Sequence, residues 1–220
     1  TVGFSSDADY FIKELIEEKE DKTEFILEDN LRKRLIVINV PGKHNVQNAA
    51  AVCALGDFIG INESSFNGLK EIEFSAMRFS IKEIAGVKII NDAYNANPSS
   101  TCYSLESLTK IEGKRRIFIF ADMFELGEYE KEGHERVGEK IKEVGVDFVF
   151  LLGDRVTSTY DKLEKMHYNM KNVFYFKEQQ DLQKKLKELI EKGDVVLFKG
   201  SRGMYLEKTV KEIEEFLNVL

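Results

Sequence analysis

With 220 residues, 43% of them hydrophobic and only 2 prolines, the chain has material for one large domain or two small ones with separate cores, which excludes a disordered or fibrous protein. Its 39 acidic and 32 basic residues give a formal charge of -7 spread through amphipathic segments. General binding to nucleic acid therefore has no electrostatic support, and an anionic small molecule needs local positive sites. Cys53 and Cys102 fall in apolar helical patterns and read as packed thiols, which suits a reducing cytoplasm. No apolar run nears the roughly 20 residues of a membrane span, and the start "TVGFSSDADY" lacks the basic and apolar regions of a signal peptide. A cytoplasmic protein without a membrane partner is the expectation.

In chain order, residues 1 to 40 carry the apolar clusters "YFIKELI", "TEFIL" and "RLIVINV". The first fits helix or strand by periodicity and the other two read as strands, so this region is sheet material. Pro41-Gly42 marks a turn, and "HNVQNAAAVCALGDFIG" predicts a helix with Gly60 as its stop. Asn62 is placed to cap a short helix in "ESSFNGLKEIEF", after which "MRFSIKEIAGVKIINDAYN" turns β-branched. The domain boundary is expected near Ala76, giving domains of 1–76 and 77–220.

Beyond that point strands and helices alternate. "GVKIIN", "RRIFIFA", "VDFVFLL", "NVFYF" and "DVVLFKG" read as strands, with helices beginning near Pro98, Tyr129, Asp154, Gln179 and Gly203. This is the pattern of an α/β fold, a doubly wound, mostly parallel sheet covered on both faces. Ligands bind such sheets beyond the carboxyl ends of the strands, so the informative loops follow "KIIN", "FIFA", "FLLG" and "LFKG".

In "NDAYNANPSS", Asn97-Pro98-Ser99 has the plain reading of a helix start, an Asn cap followed by Pro in the first turn. Capping does not account for Asp92, Tyr94 and Asn95, polar groups at a strand's carboxyl end where a ligand's hydroxyls or phosphate would lie. In "LFKGSRGM", Lys199 and Arg202 flank Gly200 and Ser201, a combination suited to a carboxylate or phosphate, though a solvated basic turn would look the same. The loop after "FIFA" offers Asp122, an ordinary helix cap, and His134, an ordinary structural histidine.

Missing from the sequence are a G-x-x-x-x-G-K-[ST] phosphate loop, a G-x-G-x-x-G turn and any Cys/His set with metal-ligand spacing. The chain reads as part of a larger machine. Its start at Thr1, without an initiator methionine, fits a piece of a longer protein.

"PGKHNVQNAAAVCAL", "AMRF", "NDAYNANPSS", "ADMFELGEYEKEGHERVG" and "LFKGSRGMYLEKTV" stand in the order and spacing of the Mur ligase family. Over essentially its whole length the chain resembles the branch that adds D-alanyl-D-alanine to UDP-N-acetylmuramoyl-tripeptide in peptidoglycan precursor synthesis. "DAYNANP" is the most specific of these motifs, whereas "HN..NA" and the lone arginine are shared more widely. The resemblance implies that residues 1–76 are the end of a central ATPase domain and residues 77–220 a Rossmann-like C-terminal domain. It also implies an ATP- and Mg2+-dependent ligase whose phosphate loop and metal ligands lie outside this chain, which would be inactive alone.

Carried over residue by residue, the resemblance puts His44, Asn45 and Asn48 near an adenine. Arg78 and Asp92 would reach the nucleotide from the other side, the aspartate at the ribose and the arginine near the phosphates. Tyr94, Asn95 and Asn97 would shape the acceptor pocket, and Lys199, Ser201 and Arg202 would hold the acceptor's carboxylate or the transferred phosphate, with Arg78 and Lys199 as catalytic candidates. Ala121 stands where the family usually has glycine. The substrates implied are UDP-N-acetylmuramoyl-tripeptide and D-alanyl-D-alanine. A folate-polyglutamylating relative and a non-catalytic nucleotide-binding module are the alternatives; "YNANP" speaks against the first.

Overall fold

The computed structural model describes residues 1–19, 22–71 and 77–219. Two compact units divide the chain, Thr1–Glu73 and Phe74–Leu220. The boundary expected near Ala76 lies outside the described residues.

The apolar clusters of the first unit form a four-stranded sheet in the order β1 (Val2–Gly3), β2 (Tyr10–Glu18), β3 (Thr23–Glu28) and β4 (Lys33–Ile38). β1 runs parallel to β2 and the other pairs are antiparallel. β3 alternates cleanly, with Phe25 and Leu27 fully buried. β2 does not, because register shifts at Ile12/Glu14 and Leu15/Glu17 interrupt its pairing with β3. Bulges of this kind disturb the period-2 pattern, which is why "YFIKELI" fits helix and strand alike.

Helix α1 (Lys43–Phe58) buries Val46, Ala49, Ala50 and Cys53 and lies against β1, β2 and β3. Gly60 comes just after it with φ +79°, a conformation that glycine adopts without strain. Asn62 caps the next element, its Oδ1 accepting from the Ser64 N–H at 3.1 Å. That element is a 3₁₀ helix, Glu63–Glu71, and the end of the expected helix falls outside the described residues. A buried ion-pair network ties the unit together. Arg34 reaches Asp57 at 2.7 Å and Asp29 at 3.0 Å, Arg32 reaches Asp57 at 2.7 Å, and the Tyr10 hydroxyl donates to Asp57 at 3.0 Å. Burial pushes the Asp57 carboxyl up, but Arg34, Tyr10 and Arg32 outweigh it and hold it below the usual range.

The second unit is the alternating α/β part: β5 (Ser80–Ile84), β6 (Val87–Asp92), α2 (Pro98–Leu108), β7 (Arg115–Ala121), α3 (Glu130–Val144), β8 (Phe148–Leu152), α4 (Thr157–Lys165), β9 (Val173–Phe176), α5 (Gln179–Leu189), β10 (Asp194–Lys199) and α6 (Leu206–Leu217). The sheet order is β5-β6-β10-β7-β8-β9, parallel throughout except for the edge strand β5. Within the β-branched run, Ala85 and Gly86 both take positive φ and make the tight turn that folds β5 back on β6, a hairpin the run itself does not announce.

Alternation in the central strands feeds two cores. Phe118 and Phe120 of β7 pack with Leu105 and Leu108 of α2 and Val137 and Ile141 of α3. Ile117 and Ile119 pack with Leu182 and Leu186 of α5 and Val210 and Ile213 of α6 on the other face. Every residue of β10 is buried, as befits a strand inserted between β6 and β7. Two expected helix starts move: α4 begins at Thr157, not Asp154, and after β10 a 3₁₀ turn, Arg202–Met204, and a left-handed Tyr205 intervene, so that α6 begins at Leu206, not Gly203.

Candidate functional site

The carboxyl ends of β6, β10 and β7 lie side by side, and the loops leaving them border one cleft of about 440 Å³. Tyr94 and Asn95 come from the loop after β6, Phe124 and Glu125 from the loop after β7, and Ser201, Arg202 and Gly203 from the loop after β10. A depression of about 370 Å³ in the first unit, lined by side chains of β4 and the 3₁₀ helix, contains none of the candidate residues.

Lys199 and Asp92 end adjacent parallel strands and are register partners. Their side chains meet at 2.7 Å, nearly buried, with relative exposures of 4% and 11%. The Asp92 carboxylate also accepts from the Phe79 N–H at 3.1 Å and the Ser104 hydroxyl at 2.5 Å, while the Lys199 ammonium donates to the Asn95 carbonyl at 2.8 Å. Such a pair is stable when each charge has further hydrogen bonds, as both do here. It fixes the loop after β6 to β10.

On the rim stands Tyr94, its N–H donating to the Met77 carbonyl at 3.0 Å. The Arg78 guanidinium lies 4.2 Å from the Tyr94 ring centroid and the Arg202 guanidinium 5.5 Å from it. Arg202 also touches the Met77 sulfur at 3.5 Å. Stacking on an aromatic ring suits arginine's planar cation and leaves its N–H edges free for an anion.

The remaining candidates divide into rim and frame. Ser201 is buried, and its hydroxyl accepts from the Phe124 N–H at 2.8 Å. Asn97 is the N-cap of α2, accepting from the Ser100 N–H at 2.8 Å in a reciprocal capping box. Asn95 is exposed, its Oδ1 accepting from the Ala96 N–H. Asp122 caps the β8–α4 turn, accepting from the N–H groups of Asp154, Arg155 and Val156 at 2.9 to 3.1 Å. Burial raises the Asp122 pKa against the pull of those donors. His134 is fully buried, with Nδ1 at 2.8 Å from the Glu130 carbonyl and Nε2 accepting from the Met123 N–H at 3.1 Å. One donor and one acceptor fix a neutral imidazole, and burial lowers its pKa.

Residues 77–202 match a family model described as "Mur ligase, glutamate ligase domain". The chain belongs to the Mur ligase family. This Mur ligase chain is 35% identical, over 98% of its length, to the UDP-N-acetylmuramoyl-tripeptide–D-alanyl-D-alanine ligase of Bacillus subtilis, of which it covers 47%. Among solved structures its fold is shared with MurF from Acinetobacter baumannii, at a TM-score of 0.84 and 24% identity over 96% of this chain and 46% of that one. It is shared also with MurF from Thermotoga maritima in complex with ADP, at a TM-score of 0.79 and 24% identity over 97% of this chain and 48% of that one. The chain thus spans about half the length of these relatives. Both the α/β class and the mostly parallel sheet expected from the sequence are as found.

In the first unit of this Mur ligase chain, His44, Asn45 and Asn48 occupy the opening turns of α1. Asn45 is buried and donates to the Pro41 carbonyl at 2.8 Å, whereas Asn48 is exposed. Solvent-facing Asn48 and structural Asn45 therefore part ways within one motif. Among the described residues no group of three or more His, Cys, Asp or Glu side chains could hold a metal ion. None of the described helices is long and apolar enough to cross a membrane.

Sequence reading overlooked Ser104, Phe124 and Arg155. Ser104 had a visible signal, a hydroxyl on the apolar face that α2 buries with Cys102, Leu105 and Leu108. Phe124 and Arg155 had none, because the 4.6 Å stacking of that guanidinium on that ring joins loops distant in sequence.

Proposed function

We propose that this chain is the C-terminal part of an ATP-dependent ligase that joins D-alanyl-D-alanine to UDP-N-acetylmuramoyl-tripeptide in peptidoglycan precursor synthesis, a cytoplasmic reaction. What carries the reading is the similarity along 98% of the chain to a ligase of that name, with "DAYNANP" at the cleft mouth. On this reading residues of the first unit end the ATPase domain, and the phosphate loop is supplied by sequence outside this chain.

The chemistry is set by the leaving-group problem. A carboxylate cannot expel oxide, so its oxygen first attacks the γ-phosphorus of ATP and ADP departs. The amine of the dipeptide, having lost its ammonium proton, then attacks the acyl carbon, and inorganic phosphate leaves as the amide forms. Anionic oxygens build up in both steps, and fixed cations are the groups that stabilise them. Arg202, which lines the cleft, and Arg78, stacked on the Tyr94 ring at its rim, are both exposed and are assigned to such oxyanions. Tyr94 and Asn95 form the wall against which the acceptor lies. Asn97, Lys199 and Ser201 act through the loops they fix, and Asp92, nearly buried in its pair with Lys199, anchors the loop after β6. Asn48, the exposed amide of α1, is assigned to the adenine.

Phosphate release by the full-length ligase that contains this sequence, supplied with ATP, Mg2+ and UDP-N-acetylmuramoyl-tripeptide, tests the reading. Release dependent on D-alanyl-D-alanine is the expected result. Dependence on a single amino acid, or no release with any acceptor, overturns it.

A further inference from the structure

The segment "ADMFELGEYEKEGHERVG" borders the cleft, yet the chemistry above gives none of its side chains a role. Phe124 and Glu125 line the side of the cleft that the loop after β7 supplies, and Glu125 is the carboxylate among the lining residues. A dipeptide amine arrives as an ammonium, and a carboxylate is the partner that suits it.

The path of this loop is imposed from outside. Glu125 holds φ +63°, a left-handed conformation unfavourable for a side chain without local compensation, so neighbouring elements must select it. Three of them do. Ser201, after β10, accepts from the Phe124 N–H at 2.8 Å, and its own N–H donates to the Asp122 carbonyl at 3.0 Å. Arg155, before α4, stacks on the Phe124 ring at 4.6 Å and donates to the Met123 carbonyl at 3.5 Å. His134, on α3, accepts from the Met123 N–H at 3.1 Å through Nε2. Its Nδ1 lies 2.8 Å from the carbonyl of Glu130, whose carboxylate pairs with Arg155 at 3.0 Å, so imidazole, arginine and loop close one circuit.

The His134 contact is one that a proton cancels, because an imidazolium donates from both nitrogens and cannot accept from the Met123 N–H. Burial keeps the ring neutral; of the charged groups that face it, Asp122 from β7 and Glu130 from its own helix favour the cation, and Arg155 from the β8–α4 turn opposes it. We propose that His134 is a positioning residue for the dipeptide: by accepting from the Met123 N–H it holds Phe124 and Glu125 on the path that shapes their side of the cleft, without meeting substrate itself. This role rests on the reading of the cleft as a ligase acceptor site.

Steady-state kinetics of the full-length ligase containing this sequence test it with two variants. His134→Gln offers an oxygen near the place of Nε2 and does not titrate, whereas His134→Leu has no atom to accept the N–H. At pH 8 His134→Leu is expected to raise the KM for D-alanyl-D-alanine about tenfold, as loss of one hydrogen bond to a buried group should, with the KM for ATP changed less than about twofold. His134→Gln should return the dipeptide KM close to the native value. As pH falls from 7.5 to 5.5, the dipeptide KM should rise more in the native enzyme than in His134→Gln, since protonation of the dipeptide's own amine affects both alike. That comparison decides the matter if His134→Leu does not fold. An unchanged dipeptide KM in His134→Leu, an equal rise in the KM for ATP, or parallel pH curves for the native and His134→Gln enzymes overturn the role. Hydrogen exchange of the same proteins reads the loop itself: residues 123–128 should exchange faster in His134→Leu than in the other two, with β7 and β10 unchanged. Loop exchange that does not change, or that rises equally throughout the second unit, overturns the role whichever acceptor the enzyme uses. If phosphate release depends on a single amino acid, the dipeptide is the wrong acceptor, and the same split in that amino acid's KM still upholds His134.

Discussion

Asp92 and Lys199 are register partners on β6 and β10, and their ion pair closes at 2.7 Å where those strands end. Strand β10 enters the sheet last in sequence yet lies between β6 and β7, so this pair joins residues far apart in the chain. Because both groups are nearly buried and carry further hydrogen bonds, removing one leaves the other charged without compensation.

Lys199→Met should therefore destabilise the second unit by roughly 3 kcal/mol or more, and Asp92→Asn by a similar order. The double variant should cost clearly less than the two single costs added, since each single change removes the same interaction. Urea unfolding of the four proteins checks this. Strict additivity would mean that the two groups do not depend on each other, and the loop after β6 would need another anchor.

The site was legible in the sequence to the extent that it sits on strand ends. Lys199 and Arg202 share one short loop, and their opposite fates were not legible: register with Asp92 pulls Lys199 inward, while the 3₁₀ turn after it leaves Arg202 exposed. Asn97 announced itself as a cap, and is one. The β5–β6 hairpin stayed hidden because Ala85 is an ordinary residue in a left-handed conformation, which no local pattern signals. Likewise β2 hid its strand character behind two register shifts.

His134 gives the fold a pH dependence whose sign is fixed by its surroundings. Its folded pKa lies below the ordinary 6.5 because burial disfavours the imidazolium. The unfolded chain thus takes up a proton first as pH falls, so this contribution to stability is complete above about 6.5 and declines as pH drops toward the lower folded value. Urea midpoints at pH 7.5 and 5.5 should show the native chain losing more than His134→Gln across that interval. Equal losses would mean that the imidazole is not held neutral.

Gly200 and Ala121 form a packing couple. A Cβ at position 200 would lie 2.8 Å from the Ala121 Cβ and 3.0 Å from the Leu206 Cδ1. Gly200→Ala should cost about 1 to 3 kcal/mol through overpacking. Ala121→Gly, which restores the residue usual in the family, should recover part of that loss. Thermal denaturation of the single and double variants reads the exchange, and failure of Ala121→Gly to help would place the clash on Leu206 instead.

Both cysteines are buried, and burial raises their pKa, that of Cys53 to about 11. A thiol that is neither ionised nor reachable reacts slowly. Titration with a coloured disulfide reagent at pH 8 should label neither residue in the native chain and both in denaturant. Rapid native labelling of Cys53 alone would show that α1 opens locally.

That last possibility bears on the unequal stability expected of the two units. The second unit covers its six-stranded sheet with helices on both faces, whereas among the described residues the first has one α-helix and a 3₁₀ helix on four strands. Along α1, Val52, Leu55, Phe58 and Ile59 are 51% to 87% exposed, so a row of large apolar groups contributes little burial. The network of Arg34 with Asp57 and Asp29 sits beside an apolar core that includes Ile12, Phe25, Leu27, Ile36 and Val46. Hydrogen exchange should show lower protection in β2, β3 and α1 than in β6, β7 and β10, because sub-global opening favours the less buried unit. Asp57→Asn, which leaves the buried Arg34 short of one partner, should widen that gap by accelerating exchange in the first unit only. Equal protection in both units of the native chain would show that the exposed row of α1 costs the first unit nothing.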